Sequence, residues 1–450
     1  MNNMYTFLKR VAITLWLLIP LGLISNADAI PLYARQTALK CASCHTIFPE
    51  LTPFGRKFKL GGYTLGEREK IPLALMTVIS ANSIRNNTDK STGEQLYGKN
   101  REAVVEVVSL FSGGKFTENA GGFVQWTYEN LATNDDHTFH HHGAVDNVDL
   151  RLVKMFGPEE KPSFIGLTLH NNPTVQDVFN SVPAWSYPYY APSVASPGLG
   201  PSTFLESGSR VAGLGAYAYV LDSLYLEATS YQTAKGALSV LRSGTAIADR
   251  VTLSGSNPYW RIAYTFGNDQ QNFSVGHFGA IASVNTPDQL TPGDRFRDLG
   301  FDMQYQYFSK DDHHIITAQA STISERAEWR TGFPNASNDN PSSHLRSTRA
   351  KVTYLRDRTY GITGAVFNVS GDADFTRFGT NNGKPDTSGY IVELNYWPSF
   401  RLDWDPQMTV RFGLQYTGYT KFNGSKTNYD GTLRDAKDNN TLYAYAWFMF

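Results

Sequence analysis

Phe301-Asp302-Met303-Gln304-Tyr305-Gln306 alternates apolar and polar residues without a break. Successive side chains of a strand point to opposite faces, so Asp302, Gln304 and Gln306 share one face and Phe301, Met303 and Tyr305 the other. Val124 to Glu129 repeats the pattern, with Gln125, Thr127 and Glu129 opposite Val124, Trp126 and Tyr128. Sixteen strands of this kind are predicted after Pro72. The first eight run 73–87, 102–115, 119–131, 147–156, 163–170, 209–221, 224–233 and 257–266. The rest run 272–284, 296–308, 313–328, 343–356, 359–370, 387–397, 408–420 and 440–450. Period alone does not choose between a transmembrane barrel and a soluble sandwich.

Connection lengths do choose. Short ones (157–162, 221–223, 267–271, 356–359) alternate strictly with long ones (131–146, 171–208, 234–256, 329–342, 371–386, 421–439). Outer-membrane barrels have short periplasmic turns and long external loops, and an even strand count returns both ends to the periplasm. The expected fold is therefore all-β: an outer-membrane β-barrel of about 16 antiparallel strands. Connection 171–208, rich in Pro, Tyr and Ser, is expected to fold inward and narrow the pore. The last strand sets Leu442, Ala444, Ala446, Phe448 and Phe450 against Tyr443, Tyr445, Trp447 and Met449. Its C-terminal phenylalanine looks like the signal read by the outer-membrane insertion machinery. The bulky second face is expected to point inward and fill part of the lumen.

The first thirty residues point to export. Lys9 and Arg10 precede an apolar run from Val11 to Ile24, then Ala27-Asp28-Ala29. That is the layout of a signal peptide covering 1–29. Its removal takes Lys9, Arg10 and Asp28, leaving 38 basic and 40 acidic side chains. A nearly neutral chain gives no basis for binding nucleic acid. No later run reaches the roughly 18 apolar residues of a spanning helix.

Between the leader and the first strand lies Cys41-Ala42-Ser43-Cys44-His45, which holds both cysteines of the 450-residue chain. Two thiols at this spacing can form thioether bonds to one haem, and the next histidine then faces its iron as an axial ligand. A disulfide or half a zinc site has the same cysteine spacing. The first leaves His45 unexplained, and the second lacks further ligands nearby. One covalent haem c is the expected cofactor. Residues 30–71 form the haem segment and 72–450 the barrel. About forty residues are too few to bury a haem alone. The segment is expected to borrow a wall from the barrel, in the lumen or at its periplasmic mouth.

The stretch Pro31 to Tyr63, with Arg35, Cys41-Ala-Ser-Cys44-His45, Pro49, Leu51, Phe54-Gly55-Arg56, Phe58-Lys59 and Gly61-Gly62-Tyr63, resembles the outer-membrane monohaem cytochrome–porin fusions of iron-oxidising bacteria. The close match covers this stretch. The barrel is similar in architecture, length and C-terminal ending. The resemblance implies one-electron oxidation of extracellular Fe(II), with the electron passed to a periplasmic c-type cytochrome or other carrier. A conduit for another donor or acceptor, or a solute porin with a structural haem plug, would share the layout.

Several residues are candidates for the site. Met76, Met155 and Met449 carry lumen parity at the inner ends of strands and could supply the distal haem ligand, as could a loop histidine or water. Met303 and Met408 read as lipid-facing. Arg35, Arg56, Lys57 and Lys59 could pair with haem propionates, meet an acidic redox partner or stay solvated. Asp135, Asp136, His137, His140, His141 and His142 could form an external metal site, or simply a polar loop. A hydrocarbon core about 30 Å thick is a long gap for one redox centre. Either the donor or the acceptor must enter the barrel.

Overall fold

A computed structural model of the chain describes residues 32–70, 72–98, 100–132, 139–158, 161–172, 187–192, 197–207, 210–246, 250–268, 270–285, 293–334, 337–398 and 409–449. The leader expected over 1–29, Asp135, Asp136, His137, Met408 and Phe450 lie outside these residues.

Among the described residues, sixteen long strands form one sheet. They are β1 (Leu73–Ile84), β2 (Val104–Thr117), β3 (Ala120–Ala132), β4 (Phe139–Phe156), β5 (Ser163–His170), β6 (Ala212–Val220), β7 (Leu224–Gln232) and β8 (Asn257–Gly267). β9 (Gln271–Asn285), β10 (Asp294–Phe308), β11 (His314–Glu328), β12 (Ser342–Arg356), β13 (Tyr360–Gly371), β14 (Thr387–Tyr396), β15 (Thr409–Lys421) and β16 (Thr441–Met449) follow. Each pairs antiparallel with the next, and a two-residue segment, Thr252–Leu253, adds to β9. β16 closes on β1 from Met76↔Met449 to Ile84↔Thr441. Closure satisfies every edge, which a sheet in lipid requires.

The faces settle which kind of barrel this is. On β10, Asp298, Asp302, Gln304 and Gln306 are buried while Leu299, Phe301 and Met303 are exposed. Ile165, Leu214, Ile262, Val352 and Leu394 continue the exposed apolar belt around the barrel. A soluble sandwich buries its apolar faces; this barrel turns them outward and keeps the polar face inside. The arrangement is that of a transmembrane β-barrel. On β16, Tyr443, Tyr445 and Trp447 are buried, so that strand's bulky face does fill the lumen.

Two expectations about the connections need correcting. β4 begins at Phe139 rather than 147, because its ladder with β3 runs on through Ala132↔Phe139. Ladder hydrogen bonds satisfy the backbone whatever the side chains, so a histidine run of modest strand preference still pairs. Of the loop expected at 131–146, residues 131–132 and 139–146 thus belong to strands, and 133–138 lie outside the described residues. Nor is the alternation of lengths strict. Connection 397–408, at the short-turn end, is longer than 133–138 or 286–293 at the other end.

The N-terminal segment sits inside the barrel at the short-turn end. Its described residues carry three helices, α1 (Leu32–Thr37), α2 (Cys41–Cys44) and α3 (Pro53–Leu60). A sixteen-stranded barrel is wide enough to leave an aqueous channel. Here the segment occupies that space.

Candidate haem-binding cavity

The cysteine motif folds as a single turn held by a second helix. In α2 the His45 amide donates to the Cys41 carbonyl at 2.9 Å. Thr52 caps α3: its hydroxyl accepts from the Gly55 amide at 3.0 Å and donates to the Ser43 carbonyl at 2.7 Å. Its own amide donates to the Cys44 carbonyl at 2.9 Å. Pro53 follows in the first helical turn, where no amide is missed. Gly55 is what allows the two helices to approach. A Cβ there would lie 2.2 Å from the Cys44 carbonyl oxygen. Gly55→Ala is therefore expected to displace the motif, costing about 1–3 kcal/mol of local stability. If a haem is attached there, its amount per chain should fall, as measured by haem staining at equal protein load.

The motif faces a cavity enclosing about 1230 Å³ of empty space, counting the part open to solvent. The segment supplies one wall, with Leu32, Tyr33, Cys41, Cys44, His45 and Phe58. The barrel supplies the other, with Met76, Phe111, Phe123, Gln125 and Met449. His45 has the geometry a metal ligand would need. Its Nδ1 lies 3.2 Å from the Pro49 carbonyl, so the proton belongs on Nδ1 and the Nε2 lone pair is left for a metal. Burial pushes its pKa down to about 4, which keeps the ring neutral. Burial also raises the Cys41 and Cys44 thiols, to about 11 and about 12. The two are not joined as a disulfide. Among the described residues no group of three or more His, Cys, Asp or Glu is placed to hold a metal ion. Two thiols and one neutral imidazole facing an apolar cavity fit a covalently attached haem.

The barrel wall holds the segment by its backbone. Arg358 donates to the Ala42 carbonyl at 3.0 Å, Arg411 to Phe48 at 2.9 Å and Gln306 to Leu51 at 2.9 Å. Tyr63 donates to Asp149 at 2.6 Å, and Asp149 also accepts from Arg151. These groups lie on β4, β10 and β15 and on the turn after β12. The wall the short segment needed is the lumen itself.

The sequence-predicted residues fare unequally. Met76 and Met449 both border the cavity and face each other across the β1–β16 ladder. Met155 keeps lumen parity but is 66% exposed, beyond the last buried layer of β4, and does not border the cavity. Met303 is exposed on the outward face. Of the four basic residues only Lys59 lines the cavity. Arg56 turns to the wall, donating to Gln304 at 3.1 Å, Gln306 at 3.0 Å and Asn272. Lys57 pairs with Asp222 at 2.6 Å and Arg35 with Glu69 at 3.3 Å. His140, His141 and His142 are not in a loop; they pair with Leu131, Asn130 and Glu129 along β4.

Sequence reasoning missed the buried Glu50–Lys351 ion pair directly behind the motif. Glu50 also accepts from Tyr189 at 2.9 Å and Thr317 at 3.3 Å. Tyr189 belongs to connection 171–208, whose described parts do fold inward. Tyr190 of the same connection packs on Trp447, ring centroids 4.6 Å apart, while Leu205 donates to Asp298 at 2.9 Å. Trp447 in turn meets Phe48 at 5.1 Å, and Phe48 meets His45 at 4.7 Å. The lumen is thus filled from both ends, and the two fillings touch beside His45. A lysine at lumen parity in β12 was the available signal for Lys351. Its partner could not be read without the fold.

No protein-family model matches the chain, and no curated protein does. Among solved structures, the chain is similar to a loop-deletion form of OmpT, an outer membrane protein of Vibrio cholerae, at 10% identity and a TM-score of 0.45, covering 85% of this chain and 99% of that one. OprB of Pseudomonas putida gives 10% identity and a TM-score of 0.46, covering 84% and 93%. The outer membrane channel DcaP of Acinetobacter baumannii gives 11% identity and 0.43, covering 86% and 99%.

Proposed function

We propose that the protein is an electron conduit of the bacterial outer membrane. It would oxidise extracellular Fe(II) through a single haem c attached at Cys41 and Cys44, and pass each electron to a periplasmic carrier. The observation that carries this reading is the cavity itself: both thiols and a neutral, correctly oriented His45 face one apolar space inside a transmembrane barrel.

A bound haem c would supply a one-electron couple, matched to a donor that gives one electron. The chain's own residues do the rest. His45 presents Nε2, held in place by its Nδ1 bond to Pro49. Phe58, Phe111 and Phe123 exclude water from the cavity, and Lys59 offers a cation for a propionate. The inward connection brings Tyr190 onto Trp447, and the ring contacts continue through Phe48 to His45. That shortens the distance an external donor must bridge across a core about 30 Å thick. The donor side is the long-loop end; the acceptor side is the short-turn end, where the segment sits. A lumen filled from both ends favours this reading over a solute porin with a structural haem.

Anaerobic addition of Fe(II) to the purified, oxidised protein tests it. The haem absorption bands are expected to change promptly to those of the reduced form at the organism's growth pH. If dithionite reduces the haem and Fe(II) does not, the donor is another species and the iron-oxidation reading fails.

A further inference from the structure

We infer that Met76 is the second axial ligand of the haem iron, opposite His45, and that its neighbour Met449 is not. The inference rests on the haem c proposed above. Two axial ligands must reach the iron from opposite faces of the ring. His45 takes the face on the segment's side of the cavity, so the second donor has to come from the barrel wall. That wall is built by β1–β3, with Met449 at its margin.

Two side chains of β1–β3 on that wall carry a donor atom suited to the task, Met76 and Gln125. Gln125 is already committed: its carbonyl accepts from Asn147 at 2.9 Å and its amide donates to Ser109 at 3.2 Å and Thr127 at 3.1 Å. The Met76 thioether is a soft donor suited to haem iron and needs no proton removed. At 3% exposure it is sealed from water, and its backbone is fixed on both sides, to Ser109 of β2 and Met449 of β16. Met449 is placed differently. It also borders a second, smaller cavity with Cys41, His45, Trp397, Arg411 and Trp447. That places it at the margin of the cavity, where a second space bordered by His45 begins. A buried methionine is also a common gap-filler, so spectroscopy has to separate the two roles.

Three variants of the full chain decide it: Met76→Leu, Met76→His and Met449→Leu. Haem content per chain is measured first by the alkaline pyridine assay. If the wild type carries no covalent haem, the functional reading above fails, whatever the methionines do. With haem present, the ferric wild type is expected to show the weak far-red band of thioether-to-iron charge transfer. Met76→Leu should lose that band and lower the reduction potential, since a thioether ligand raises it. Met76→His should lose the band yet remain low-spin, at a lower potential. Met449→Leu should keep both the band and the potential. The inference is overturned if the band survives in Met76→Leu, if Met449→Leu abolishes it, or if the wild type lacks it.

Discussion

A chain carrying Cys41→Ser and Cys44→Ser is expected to reach the membrane as a folded barrel and to hold no covalent haem. The two halves of that outcome have separate causes. The barrel is closed by backbone ladders, above all β1 on β16, and neither thiol takes part in those ladders. A haem without thioether bonds would be held by His45 and cavity packing alone, and denaturation would release it. Denaturing electrophoresis with haem staining gives the result directly: a stained band for the wild type and none for the variant, at equal protein. Heat-modifiable migration of the unboiled sample reports the barrel. Staining that persisted in the variant would show that the haem is attached elsewhere, or that these cysteines serve another purpose.

Lys351→Met is expected to loosen the N-terminal segment while leaving the barrel closed. Lys351 is the cation for Glu50, and both side chains are almost completely buried in the lumen. Removing one partner of a buried pair leaves the other charge without compensation, at a cost of about 3–5 kcal/mol. The loss should fall on the segment and the inward connection, because Tyr189 shares the same carboxylate. The β12 ladder around residue 351 depends on backbone groups that the substitution does not touch. Limited proteolysis is the measurement. The variant should be cut within the segment at protease concentrations the wild type resists, with the barrel fragment intact. Adding Glu50→Gln to Lys351→Met should restore much of the resistance, since no uncompensated charge then remains. Equal resistance of wild type and Lys351→Met would mean that the pair does not anchor the segment.

Both predictions concern a junction that was only half visible in the sequence. The grouping of Cys41, Cys44 and His45 was legible without help, because thiol spacing and an adjacent imidazole are local properties. The roles of Arg35, Arg56 and Lys57 were not legible, because a guanidinium or ammonium can serve any acceptor that the fold brings near. For Arg56 the acceptors are Gln304, Gln306 and Asn272, more than two hundred residues away. Met155 illustrates the same limit. Parity assigns its face correctly, and only the depth of the lumen reveals that it lies past the buried layer.

By itself the sequence determined the barrel: strand period, apolar faces and an even count follow from neighbours along the chain, and lipid outside leaves one way to satisfy the backbone. It also determined that both thiols and an imidazole sit together. Only the tertiary structure decided where that motif lies, what seals it and which methionines border its cavity. Those are contacts between the short N-terminal segment and strands scattered over the whole barrel. They depend on depth and distance across the lumen, which side-chain order along one strand does not encode.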